Sequence, residues 1–142
     1  MRIVKSFWRT LLWAVIVLGL STMSGQKVNE IPFMSIPHID KVCHFGMYFT
    51  LTFLLLFDFS RFKYKNLAWK KIITISVIAA IAFGGAMELL QEIPNLDRSA
   101  DIKDFIANST GALCAVFFYK FLIRILNKIT SFFIKPKNSY SL

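Results

Sequence analysis

Three short stretches of this 142-residue chain carry polar side chains at helical spacing inside otherwise apolar runs. Asp40, His44 and Tyr48 fall at i, i+4 and i+8, with Lys41 beside them. Gly84, Glu88 and Gln91 follow i, i+4, i+7, and Asp101, Asp104, Asn108 and Gly111 follow i, i+3, i+7, i+10. Residues at these intervals share one face of an α-helix. Each stretch therefore offers one polar stripe.

Carboxylates, an imidazole and amides brought together are the materials of general acid–base chemistry. Glu88 is the best acid/base candidate, because apolar surroundings disfavour a bare carboxylate; its plain alternative is a salt bridge to Lys41 or Arg98. His44 reads as a general base, a metal ligand, or a histidine hydrogen-bonded to Asp40 or Glu88, the last being the plainest. Arg98 suits a bidentate grip on a carboxylate or phosphate, or a pairing with Asp101. With Glu88 and His44 as catalytic candidates, the candidate substrate-binding set is Asp40, Lys41, Tyr48, Gln91, Arg98, Asp101, Asp104 and Asn108. Asp104 and Asn108 are equally suited to stitching helices together. A divalent cation held by His44, Glu88 and Asp104 lacks the support of a tight motif such as HExxH, so no metal and no cofactor is expected. The chain has no Gly-rich phosphate loop or nucleophile elbow, and Cys43 and His44, adjacent on a helix, point apart.

The elements that position these groups are membrane spans. Hydrophobic residues make up 56% of the chain, more than a soluble domain of this length has core positions to hold. Apolar runs near 7–23, 40–59, 72–91 and 102–123 are each long enough to cross a hydrocarbon core at about 1.5 Å per residue. For the first run a secretory signal peptide is the competing reading, since Arg2, Lys5 and Arg9 make a basic leader. Residues 24–39 are polar and broken by Pro32 and Pro37, which reads as a loop. Small residues at Gly84-Gly85 and Gly111-Ala112 allow close helix packing. The basic tail 124–142 spaces Ile125, Ile129, Phe132 and Phe133 as an interfacial helix ending before Pro136.

Charge placement sets an orientation. Most of the 17 Lys and Arg lie before the first run, in the loop from Arg61 to Lys71, and in the tail. Only Lys27, Lys41, Arg98 and Lys103 lie on the opposite side. The positive-inside rule then puts both termini in the cytoplasm. The expected fold is an all-α, four-helix transmembrane bundle forming a single membrane domain over 1–142 in the bacterial cytoplasmic membrane. Although the net charge is +9, the basic residues cap apolar runs and form no stripe, so nucleic-acid binding is not expected. The two cysteines, Cys43 and Cys114, show no CxxC spacing and indicate neither a disulfide framework nor a zinc site.

Of the eight acidic residues, only Asp58 lies away from the outer level, and it reads as isolated. Counting inward at about 1.5 Å per residue, His44 lies roughly 6 Å deep, Glu88 and Asp104 about 4–5 Å, and Asn108 about 10 Å. Ionisable groups at such depth cost a few kcal/mol each and face a partner or a water-filled cavity. A shared pocket explains them together.

The same residues carry a resemblance. Asp40-Lys41-Val42-Cys43-His44-Phe45 with Tyr48, then Gly84 and Glu88-Leu89-Leu90-Gln91, then Arg98, Asp104, Asn108 and Gly111-Ala112 resemble, in order and spacing, the VanZ-like family of small bacterial membrane proteins. The resemblance covers roughly 39–123. Ala115 stands where many members keep a further glycine. The family takes its name from a member associated with teicoplanin resistance and brings no settled biochemical mechanism. What it implies is a multi-pass membrane protein, with a link to glycopeptide resistance as an expectation only.

Two functions compete. One is an extracytoplasmic pocket that binds or modifies a cell-envelope or lipid-linked molecule, with Arg98 and Lys41 holding an anionic group and Glu88 or His44 handling a proton. The other is a non-enzymatic envelope protein whose polar layer locks the bundle or a partner. A proton or ion carrier is weaker, because the polar layer stops near one end of the spans. The lipid bilayer is the one firm partner. Oligomeric state, and whether the protein is an enzyme, are open at this level.

Overall fold

The computed structural model describes residues 5–24, 26–27, 30–61, 67–92 and 99–133. The described residues are helical and include no strand. Four helices make the bundle: α1 (Trp8–Ser21), α2 (Ile39–Arg61), α3 (Trp69–Gln91) and α4 (Ile102–Phe133), with a 3₁₀ turn at Pro32–Ser35 between the first two. Three of them, α2, α3 and α4, are long and apolar enough to cross a membrane. The first apolar run is helical over 14 residues only, about 21 Å, which falls short of a hydrocarbon core near 30 Å. At the other end α4 runs unbroken for 32 residues, so the expected fourth span and its helical tail are one continuous element.

Local chemistry explains the boundaries. α2 begins after Pro37, where His38 takes a left-handed conformation with φ 63°, an uncommon one for a residue other than glycine and one in which His is enriched. α3 stops at Gln91, three residues before Pro94, a residue that cannot continue a helix. α4 is capped by Asp101, whose Oδ1 accepts the Lys103 backbone N–H at 2.8 Å, satisfying a donor that the first turn would otherwise leave orphaned.

α2 is the hub, packed against each of the other helices. Its closest approach is to α4. A Cβ built on Gly111 would run into the Phe45 carbonyl oxygen and come within 3.1 Å of the Phe49 nitrogen. Only a residue without a side chain lets the two backbones meet there. Midway along the bundle Val17, Tyr48, Leu51, Ala80 and Ala112 are buried together. Nearer one end, Leu56, Ile72 and Tyr119 form a second cluster, with Trp69 and Phe53 packed at a tilt against the Tyr119 ring. Large apolar side chains such as Ile78, Leu89, Phe117 and Phe132 point outward, as they do where lipid is the solvent.

Helices consecutive in the chain run antiparallel, so α2 and α4 run parallel. The start of α2 meets the end of α3 through His44 and Glu88, and the start of α4 through Lys41 and Asp104. The end of α2 meets the start of α1 through Asp58 and the later part of α4 through Ser60 and Tyr119. The start of α1 and the later part of α4 thus share one end of the bundle, the basic end. The carboxylates gather at the other, the acidic end.

Candidate functional site

Lys41 stands at the centre of the acidic end. Its ammonium lies 2.6 Å from Asp40 Oδ2, 2.9 Å from Asp101 Oδ2 and 2.8 Å from Asp104 Oδ1. Asp40 is its neighbour on α2, while the other two come from the start of α4. The cation therefore ties the helices together at the level where α4 begins. Asp101, which lies just ahead of the α4 span, is held below the usual carboxylate range, first by the Lys103 backbone N–H and then by Lys41.

One turn deeper lies a chain of hydrogen bonds. Asn108 donates through Nδ2 to Glu88 Oε1 at 3.1 Å. That leaves Asn108 Oδ1 to accept from His44 Nδ1, 3.0 Å away. Such a network assigns the imidazole proton to Nδ1 and leaves Nε2 as a lone pair. Nε2 faces Asp104 Oδ2 at 3.7 Å, and Nδ1 is 3.8 Å from Glu88 Oε1. The second Glu88 oxygen takes the Asp101 backbone N–H at 3.4 Å. His44, Glu88, Asp104 and Asn108 are all buried. Two carboxylates, Glu88 and Asp104, therefore flank the ring.

Tyr48 and Gly84 close the layer from below. A Cβ on Gly84 would sit 3.2 Å from Tyr48 Cε1 and 3.3 Å from Asn108 Cβ, so the glycine is what lets both side chains lie against α3. The Tyr48 hydroxyl is buried and has no hydrogen-bond partner among the described residues. Gln91 departs from its stripe-mates. It reaches to α1, donating from Nε2 to the Ser21 carbonyl at 3.3 Å, and so ties the first helix to the third. Arg98 lies outside the described residues. The structure thus brings Asp40, Lys41, His44, Glu88, Asp101, Asp104 and Asn108 into one layer, with Tyr48 beneath and Gln91 at its margin.

The three stripes pack against one another through these bonds. A space opens on the other side of α2. A cavity of about 420 Å³ lies between α1, the stretch that follows it, and α2, lined by Trp13, Leu20, Met23, Ile31, Met47 and other mostly apolar groups. Asp40 and His44 reach its wall, as does Ser21, which is 2% exposed and whose hydroxyl has no hydrogen-bond partner among the described residues.

At the basic end lies a second polar cluster. Asp58 is fully buried and accepts from Arg9 Nη1 at 3.0 Å, from the Thr10 hydroxyl at 2.8 Å and from the Thr10 backbone N–H at 3.3 Å. It is not isolated, contrary to its reading from sequence. Its partners lie 49 and 48 residues away, and the signal that points to them is Arg9 itself, a cation inside an apolar run, which needs a counter-charge. Farther along the same helices, Trp13 Nε1 donates to the Met47 carbonyl at 2.9 Å.

An all-helical bundle with spans long enough for a bilayer, a glycine-mediated helix contact and a polar layer at one end defines a small integral membrane protein. A family model described as VanZ/LLP1 matches residues 4–124. The chain therefore belongs to the VanZ/LLP1 family, and the match takes in α1 to α3, the first two thirds of α4 and the whole polar layer. No curated protein and no solved structure shows a significant match.

Proposed function

We propose that the acidic end is an extracytoplasmic site that binds, and acts by proton transfer on, a cell-envelope or lipid-linked molecule. The observation that carries this reading is the double position of Asp40 and His44, which belong to the polar layer and also border the 420 Å³ cavity. That volume is within the ~300–1,000 Å³ of small-molecule pockets, which pair mostly apolar walls with a few polar groups. The cavity takes the apolar portion and the layer meets the polar portion. His44 accepts a proton at Nε2, with Glu88 and Asn108 holding its ring and balancing its charge. Lys41, already shared by three carboxylates, holds the layer's shape and is not a free grip for an anion. That task falls to Arg98 if the ligand carries one. The charge bias supports a reading in which this end lies outside the cytoplasmic leaflet and the chain termini inside.

A second reading is favoured by one specific observation. Glu88, Asn108 and His44 satisfy one another almost completely in a dry, buried group, which is how a polar lock in a bundle is built. The two readings separate experimentally. Purified wild type, Glu88→Gln and His44→Ala are compared for co-purifying envelope lipids by mass spectrometry. Retention by wild type and loss in folded variants supports a site. Equal content in all three contradicts it.

A further inference from the structure

Resting on the site proposed above, we infer that its ligand is an acyl-chain lipid with an ammonium headgroup, the chain lodged in the cavity between α1 and α2 and the ammonium set against Asp40. Two independent observations lead there. The first is charge. Asp40, Asp101 and Asp104 all reach the one Lys41 ammonium, and Glu88 adds a fourth carboxylate beside His44. Among the described residues this end stays net negative even when Lys103 and a protonated His44 are counted with Lys41. An anionic headgroup would be repelled there, whereas an ammonium completes the balance at Asp40, whose side chain is 45% exposed.

The second observation is the cavity itself. It lies between helices in an apolar bundle, its walls are mainly Trp13, Leu20, Met47 and Ile31, and the Ser21 hydroxyl on its wall is buried without a partner. An orphaned buried hydroxyl beside an apolar space calls for a ligand oxygen or nitrogen; a lipid ester or headgroup supplies one. Gly46 marks the middle of the wall. A Cβ built there meets nothing within 4 Å. Among the described residues no packing requires that glycine, so its side of the cavity is open to a ligand.

The test uses the full chain with Trp8 and Trp69 replaced by Phe, leaving Trp13 on the cavity wall as the one tryptophan. The protein is reconstituted in vesicles of an uncharged lipid, digalactosyldiacylglycerol, containing equal small fractions of brominated phosphatidylethanolamine or brominated phosphatidylglycerol, and Trp13 fluorescence quenching is read. Several-fold stronger quenching by the ethanolamine lipid is expected, with the difference lost in Gly46→Leu, which fills the cavity, and reduced in Asp40→Asn. Thr50→Phe, which occludes the same wall, serves if Gly46→Leu melts early. Equal quenching by the two lipids, stronger quenching by the glycerol lipid, or an ethanolamine preference that survives cavity filling would each overturn the assignment. Loss of co-purifying lipid in Glu88→Gln with no ethanolamine preference would leave the proposed site standing and refute only the headgroup.

Discussion

Asn108 holds His44 in one orientation: its Oδ1 stands 3.0 Å from the imidazole Nδ1 because its nitrogen is committed to Glu88 at 3.1 Å. A single amide on α4 thus decides which ring nitrogen carries the proton on α2, and it does so by way of a carboxylate on α3. Replacing Asn108 by Leu leaves two buried polar groups without a partner. A buried group so orphaned costs about 1–3 kcal/mol. Thermal melting in detergent should show a clear fall, and Asn108→Gln should not restore it, because the longer amide no longer spans both partners from the position held open by Gly84.

The two glycines that face space and backbone make a matched pair of predictions. Gly111→Ala drives a methyl into the Phe45 carbonyl, which is backbone and cannot swing aside. The roughly 0.5–1 kcal/mol that alanine gains over glycine in a helix is outweighed by overpacking of about 1–3 kcal/mol. Gly46→Ala meets nothing within 4 Å and keeps the helical gain. Melting temperatures should therefore move in opposite directions, down for Gly111→Ala and level or up for Gly46→Ala.

The Arg9–Asp58 pair anchors the first helix. Removing one partner of a buried ion pair costs about 3–5 kcal/mol. Arg9 is 38% exposed and Thr10 continues to donate, so Arg9→Ala should fall at or below the low end of that range. Asp58→Ala removes the acceptor of all three bonds and frees the start of α1. Limited proteolysis should then cut near residue 9 in Asp58→Ala and spare the wild type.

Much of the acidic end was legible from spacing alone. Helical periodicity put Lys41, His44, Glu88, Asp104 and Asn108 on facing stripes, and counting depth put them at one level; they meet there. What spacing cannot supply is rotation and packing across long separations. Asp58 read as isolated because its partner belongs to a helix 49 residues earlier, and no local pattern joins them. Gln91 read as a member of the layer, yet it turns to the Ser21 carbonyl, since only the position of α1 decides what lies opposite it. The cavity between α1 and α2 could not be read from spacing, because a void is set by how well side chains fill space, which a sequence does not encode locally. The first span was expected over 7–23, and its regular helix is shorter.

Orientation is open to direct measurement. Single cysteines placed at Glu30 and at Lys70, in a background lacking Cys43 and Cys114, should react with a membrane-impermeant maleimide from opposite sides. Labelling of position 30 in intact cells and of position 70 only after permeabilisation is expected from the charge bias.

The central claim, that the polar layer serves a ligand and does more than lock the bundle, is tested most directly by lipid-dependent melting of wild type, Glu88→Gln and His44→Ala. A ligand at about a hundredfold its Kd stabilises the folded state by ~2.7 kcal/mol, a shift of several degrees. Wild type should rise by that amount with its envelope lipid, while both variants start lower for the buried bonds they lose and stay flat when lipid is added. Lower melting of both variants with no lipid response in wild type would contradict the account and leave the layer as a lock.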